Sequence, residues 1–334
     1  VFCRPLFFNN DFFWLYHGKA RQHLKESIVK KDITTLWDLN RQEIDHLLDS
    51  SIALKNAHKQ GADRHPLVGK SVGLVFDKPS TRTRVSFEAA MIQLGGVPMY
   101  INVGDTQLIR NEPVEDTARV LSRYLDGLVV RTYSQQLLED MAKWADIPII
   151  NALTDLYHPC QILSDIMTVV EQKGGYKGVR IAWIGDGNNV AHSWINAAAI
   201  LGLDLVLACP PGHQPNRQIL QKALDKGTGN ISLVKSPQEA AKGADVLYTD
   251  VWASMGQESE SALRRTAFAG FAVDEKLVAL AAPSAIVMHC LPAHRGEEIS
   301  HEVMEGPQSV VWDQAENKLH MHKAVLEALL KTWR

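Results

Sequence analysis

The run Ser80-Thr81-Arg82-Thr83-Arg84 sets three hydroxyls and two guanidinium groups between the strand-like "SVGLVF" and a helical stretch from Arg82 to Leu94. A helix that begins near Ser80 presents unpaired backbone amides and the positive end of its dipole, and the hydroxyls of Ser80, Thr81 and Thr83 add donors. That combination is a cradle for a phosphate. Arg82 and Arg84 lie two apart on a helix and cannot both face one ligand, so one is expected on the anion and the other in a structural pair. The bland alternative is an N-cap with solvated arginines, which needs only one such hydroxyl.

Other chemistry-bearing residues also sit where apolar runs stop. Arg131 ends "GLVVR", and "TDLYHPCQ" follows "IPIIN", with His158 before Pro159 and Gln161 three residues on. A neutral imidazole and a carboxamide suit a small carbonyl or amine group. Taken alone, they read more simply as a loop histidine packed before a helix whose first turn holds Pro159, and it is the position at a strand end that favours a ligand. "IGDGNNVAHS" brings Asn188 and Asn189 after another run, and its glycines suggest the opening of a dinucleotide-binding turn. Val190 stands where that turn needs a third glycine, and "LVLACPPG" lacks the acidic residue that closes the second strand. A dehydrogenase is set aside on those grounds, and the asparagines are expected to bind a small polar ligand or shape the turn. Asp250 closes "DVLYTD" ahead of the small-residue loop "VWASMGQESES", placed to pair with an ammonium group or to cap the next helix. Cys290 closes "AIVMHC" before Leu291 and Pro292. It is read either as a thiolate nucleophile or, preferably, as a neutral polar contact.

The elements that must carry these residues alternate in type. Beyond residue 30, strand-like runs and helix-period segments take turns, the signature of parallel sheets with crossover helices. An amphipathic segment covers about Thr35 to Gln60, and helices are expected over 134–145, 190–201, Leu163–Lys173 and Gln314–Lys331. "KGGYKG" reads as a hinge between two βαβ series. In open α/β sheets ligands bind at the carboxyl ends of the strands, so polar clusters at successive strand ends describe a crevice between two sheets.

Composition agrees. A chain of 334 residues suits two domains, and 46% apolar residues with a net charge of −3 offer no basic field for nucleic acid. Cys3, Cys160, Cys209 and Cys290 follow no disulfide or zinc spacing, which fits a reducing, cytoplasmic setting, and no run of apolar residues is long enough to span a membrane. The opening "VFCRPLFFNNDFFWLY" is aromatic but lacks the layout of a secretory signal; it is expected to be a docking or oligomer-contact segment or a weakly ordered extension.

In combination, STRTR, HPCQ, DVWASMGQE and HCLPAHRGEE resemble the ornithine carbamoyltransferases, in the right order over roughly residues 33–331. STRTR and HPxQ point to carbamoyl phosphate; the SMG loop and HCLP point to ornithine. The resemblance implies an α/β fold of two doubly wound parallel-sheet domains, αβα sandwiches, with the C-terminal helix packing back on the first. The division expected is an extension (1–32), a carbamoyl-phosphate domain (33–165), an ornithine domain (166–312) and a returning helix (313–334). It further implies that Ser80, Thr81, Arg82 and Thr83 bind the phosphate end, with Lys318 on the same side, while Arg131, His158 and Gln161 orient the carbamoyl group. Gln107 would reach a neighbouring subunit's site, which implies a homotrimer or a multiple of trimers. Asn189, Asp250, Ser254 and Met255 would hold the amino-acid end of ornithine. Cys290 and Leu291 would lie between the substrates, with Leu291–Pro292 cis. The family usually carries arginine where this chain has Lys318 and glycine where it has Ile109, and the aromatic start has no counterpart.

The implied chemistry is attack of a side-chain amine on the carbamoyl carbon, with Arg131, His158 and Cys290 at the reacting centre and no metal, cofactor or covalent enzyme intermediate required. Putrescine, an acylated ornithine or aspartate are the rival acceptors. Aspartate calls for added cations, whereas Asp250 and the SMG loop stand there instead. A carbamoyl-phosphate-binding regulator without turnover is the rival from outside enzymes.

Overall fold

The alternation of strand and helix resolves, in a computed structural model, into two parallel sheets; the structure describes residues 30–106, 112–253 and 260–331. The amphipathic segment near the start divides in two. A 3-10 turn at Leu36–Asp38 precedes helix α1 (Arg41–Lys59), and Asn40 caps that helix by accepting from the Glu43 amide while Glu43 accepts from the Asn40 amide. The reciprocal pair satisfies amides that a helix start leaves open.

The first sheet contains β1 (Ser71–Phe76), β2 (Val97–Asn102), β3 (Gly127–Arg131) and β4 (Ile149–Leu153), in the order β2-β1-β3-β4 and all parallel. Helices α2 (Thr81–Gln93), α3 (Val114–Tyr124) and α4 (Gln135–Trp144) form its crossovers. The second sheet contains β5 (Arg180–Ile184), β6 (Asp204–Ala208), β7 (Asn230–Val234), β8 (Val246–Thr249) and β9 (Ile286–His289), in the order β7-β6-β5-β8-β9, again all parallel. Each order reverses once, between β1 and β3 and between β5 and β8. A crevice opens at such a reversal because the flanking crossovers leave in opposite directions.

Both sheets are covered on both faces, which explains why their strands read as unbroken apolar runs. Leu74, Phe76, Val129 and Ile150 join Phe87 of α2 on one face of the first sheet; Val75, Leu128 and Val130 join Ala118, Leu138 and Met141 on the other. In the second sheet Trp183, Leu207 and Tyr248 point one way, and Ala182, Val206 and Leu247 the other. Trp183 stacks on Tyr248 at 5.3 Å, with Trp194 edge-on at 5.6 Å.

Two helices depart from the expected boundaries. Helix α5 runs Pro159–Lys173, starting four residues before Leu163, because Pro159 is pre-set for the first helical position and His158 serves as N-cap. It ends on Gly174, whose φ of 75° provides the left-handed C-cap that opens the hinge sequence. After α6 (Asn189–Leu201), α7 (Arg217–Lys226), α8 (Pro237–Ala241), α9 (Ser261–Ala267), α10 (Glu275–Val278) and α11 (His301–Met304), the last helix, α12 (Val311–Leu330), starts three residues before Gln314. It packs against α1, α2 and α5, returning the chain to the first sheet's side. Among the described residues no helix is long and apolar enough to cross a membrane.

Candidate active site

The polar clusters sit at the two crevices. At the first, Ser80 caps α2 by accepting from the Thr83 amide at 3.3 Å, with Thr81 and Arg82 exposed in the first turn. The two arginines divide as the helical spacing requires. Arg84 donates to Glu88 at 2.9 Å and lies 3.6 Å over the Tyr100 ring, so it is structural, while Arg82 lines a cavity of about 360 Å³. Other walls of that cavity come from Thr81, Gln161, Cys290, Gln314 and Lys318.

Cations crowd this mouth. Arg131, buried at the end of β3, is pushed down to about 10 by burial and then by the charge of Arg82. Lys318 of α12 donates to Gln161 Oε1 at 2.9 Å and Thr83 Oγ1 at 3.2 Å. Burial and then the charge of Arg131 push it down to about 8. His158 falls well below the usual imidazole range, through burial and then Lys318 and Arg131, so its ring is neutral. Its backbone amide donates to Ser193 Oγ at 2.8 Å, and its buried Nδ1 meets no hydrogen-bond partner among the described residues. Mutual repulsion of this kind is relieved by an anion, and a dianion relieves it most.

At the second crevice Asn188 caps α6 (Asn189–Leu201), accepting from the amides of Val190 and Ala191 at 2.9 and 3.1 Å. Its Nδ2 donates to Asp250 Oδ2 at 2.8 Å, and the Cys290 thiol donates to Asp250 Oδ1 at 3.0 Å. Burial, and then Asp250, push the Cys290 thiol well above its ordinary range. It is therefore a neutral donor rather than a thiolate. Asn189 is less directly engaged with Asp250: its Nδ2 is spent on the Thr154 carbonyl at 2.6 Å. The turn is also closed to a dinucleotide, since a Cβ on Gly187 would meet the Pro215 nitrogen at 2.2 Å. Protein backbone occupies the approach that a pyrophosphate needs.

Leu291 follows Cys290 with φ 60° and a cis bond to Pro292, as the resemblance implies. Its amide donates to His289 Nδ1 at 2.9 Å, and the other His289 nitrogen meets Glu298 Oε1 at 3.0 Å. Asp250, His289 and Cys290 present possible metal-ligand atoms within 4.8 Å of one another, as do His294, Glu297 and Glu298. In the first group these hydrogen bonds already occupy both ring nitrogens, the thiol and the carboxylate.

Sequence reading overlooked the residue between the crevices. Asp165, one helical turn beyond Gln161 on α5, is fully buried and accepts from Gln161 Nε2 (2.8 Å), Gln314 Nε2 (2.8 Å) and the Tyr248 hydroxyl (2.7 Å). Burial pushes its carboxyl up to about 6. Gln314 in turn accepts the His289 amide at 2.9 Å. The available signal was an acid inside the apolar run "ILSDIMTVV", where no charge belongs without partners. Gln107, Ile109, Ser254, Met255 and the aromatic opening segment lie outside the described residues.

Residues 31–171 match the family model of the aspartate/ornithine carbamoyltransferase carbamoyl-P binding domain, and residues 177–329 match that of the Asp/Orn binding domain. An ornithine carbamoyltransferase of Geobacter sulfurreducens is 54% identical over 296 residues, covering 89% of this chain and 98% of that protein. One of Desulfotalea psychrophila is 55% identical over 298 residues, with coverage of 89% and 98%. The ornithine carbamoyltransferase structure from Pyrococcus furiosus superposes with a TM-score of 0.86 at 49% identity, covering 90% of this chain and 97% of that one.

The state of Cys290 is open to direct measurement. A thiol raised by burial and by Asp250 stays protonated through neutral pH, so iodoacetamide should modify it more slowly than free cysteine, with the rate climbing only in alkali. Rapid alkylation at neutral pH, mapped to Cys290 by mass spectrometry, contradicts the protonated assignment.

Proposed function

The chain belongs to the aspartate/ornithine carbamoyltransferase family, and on that premise we propose that it transfers the carbamoyl group of carbamoyl phosphate to the side-chain amine of L-ornithine, yielding L-citrulline and phosphate. The observation that carries this reading is the pairing of a cation-crowded mouth at one crevice with Asp250 at the other, with a neutral thiol between them.

In this reading Ser80, Thr81, Arg82, Thr83 and Lys318 hold the phosphate, and Arg131, His158 and Gln161 hold the carbamoyl group. Asp250 faces the α-ammonium group, with Asn189, Ser254 and Met255 completing the amino-acid end, and Cys290 and Leu291 separate the two substrates. The two domains divide near residue 165, within α5, and α12 returns to the first. The acceptor amine has an ordinary pKa of about 10.4 by analogy with lysine, so roughly one molecule in a few thousand is nucleophilic at neutral pH. The free amine attacks the carbamoyl carbon and forms the C–N bond. Charge that gathers on the carbonyl oxygen is stabilised by Arg131, Thr83 and the neutral His158. The C–O bond to phosphate then breaks, and the departing phosphate takes the amine's proton. Putrescine has no amino-acid end for Asp250 to hold, which is the reason to prefer ornithine over that sibling substrate.

A homotrimer is part of the same proposal, with Gln107 contributed to a neighbouring site. Support comes from the edge strand β2 and helix α2, which expose Val97, Met99, Val85 and Ile92 together. Apolar side chains beside an unpaired strand edge call for cover. A cytoplasmic location is likewise proposed, on the free cysteines Cys160, Cys209 and Cys290.

Amine-dependent phosphate release from carbamoyl phosphate, with the ureido product identified by mass spectrometry, should be fastest with ornithine in a panel of ornithine, putrescine, acylated ornithine and aspartate; no turnover with any amine would leave only the regulator reading. Arg131→Met should lower kcat by about a hundredfold or more, as removal of an oxyanion donor does. Near-normal turnover would take Arg131 out of the carbonyl site. Sedimentation should give a trimer or a multiple of it, and a monomer at assay concentration would remove that part of the proposal.

A further inference from the structure

Lysine and arginine differ at an anion site in one respect that matters here: lysine can lose its proton when it is buried, and arginine does not. Lys318 is buried and faces Arg82 of α2, Arg131 at the end of β3, His158 at the start of α5, His322 of its own helix, the Cys290 thiol and Asp165 of α5. Two of these are permanent cations, both histidines are neutral, and the thiol is protonated. Among these groups Asp165 alone supplies negative charge.

Asp165 does not touch Lys318. The Gln161 carboxamide stands between them, its oxygen accepting from Lys318 Nζ at 2.9 Å and its nitrogen donating to Asp165 Oδ1 at 2.8 Å. An amide polarised this way passes the carboxylate's influence to the ammonium group, because each hydrogen bond strengthens the next. It also fixes which end of the amide faces which charge. Two amide N–H groups and a phenol all donate to Asp165, an arrangement that suits a carboxylate, which only accepts.

We propose that Asp165 is a positioning residue that acts as the counter-charge of Lys318, bridged through the Gln161 carboxamide so that the lysine stays a cation aimed at the phosphate mouth. The ligand class follows from the proposed function of that mouth: a tetrahedral dianion, the phosphate end of carbamoyl phosphate. The device matters because this chain carries lysine at the position. An arginine there would remain charged without help, whereas Lys318 depends on the balance between Asp165 on one side and Arg82 and Arg131 on the other.

The substitution that isolates charge from shape is Asp165→Asn. Its side-chain oxygen can still accept from both glutamines and its NH₂ can donate to the Tyr248 oxygen, so most of the net survives while the charge and the acceptor for the Tyr248 proton are lost. Gln161→Met is the complementary variant, keeping both charges and removing the bridge. With lysine labelled at the ε-carbon, the Lys318 signal, assigned by its loss in Lys318→Arg, should titrate at a lower pH in either variant than in the parent enzyme. An unchanged midpoint in the variants that fold overturns the proposal, whether or not the mouth binds an anion.

Calorimetry with sulfate, a dianion throughout this range, provides the functional arm. At pH near 8, where Lys318 titrates, Asp165→Asn should bind sulfate several-fold more weakly. Adding Lys318→Arg to Asp165→Asn should restore the affinity, because arginine keeps its charge; a double variant as weak as the single one shows that Asp165 acts through structure and not through the charge of Lys318. Failure of the parent enzyme to bind sulfate would speak against the phosphate mouth itself, while the lysine titration still decides the role of Asp165.

Discussion

Like charges held together at one point constrain everything around them. Arg82, Arg131 and Lys318 arrive from α2, the end of β3 and α12, elements far apart in the chain, and meet where the first sheet's strand order reverses. Left without an anion, burial and the neighbouring arginines leave the proton of Lys318 less tightly held, and burial and Arg82 do the same at Arg131. Such an arrangement gives stability away in the free protein and recovers it on binding, the usual exchange at a site preorganised for a charged ligand. The neutral state of His158 comes first from burial and then from the same field of Lys318 and Arg131, so an uncharged imidazole stands beside the cations.

The second crevice is built on the opposite principle. Asp250 is held by Asn188 and by the Cys290 thiol, which secure the carboxylate without cancelling its charge. Hydrogen bonds from neutral donors fix a carboxylate's direction and leave its field available to an incoming ammonium group. Cys290 thereby acquires a role that its chemistry alone does not suggest: as a protonated donor it belongs to the acid's surroundings and not to the nucleophiles.

Asp165 joins the two crevices. Through Gln161 it reaches Lys318 in one direction, and through Gln314 it reaches the His289 amide and so the strand end that carries Cys290 in the other. A buried carboxylate is tolerated because its donors are arranged around it on α5, α12 and β8, elements anchored in a core that both sheets share. Helices α5 and α12 therefore carry the side chains that link the two crevices. Displacement of either would disturb the phosphate mouth and the thiol together.

How much of this was legible without a structure depends on the distance over which each feature is decided. Alternating apolar runs, glycine stops and Pro159 at a helix start are local, and they were sufficient for two parallel α/β sheets with polar clusters at the strand ends. The spacing of Arg82 and Arg84 likewise required that they part, but which one faced the ligand awaited Glu88 and Tyr100 closing on Arg84. Asp165 went unremarked because two of its three partners lie far along the chain, Tyr248 at 83 residues and Gln314 at 149. The choice between thiol and thiolate at Cys290, the neutrality of His158 and the weakened hold of Lys318 on its proton all followed from burial and from neighbours that folding alone brought close. Sequence determined which groups stand at the strand ends, because periodicity and turn chemistry act between near neighbours. Tertiary structure decided their charge states and directions, because desolvation and Coulomb interactions depend on distance through space.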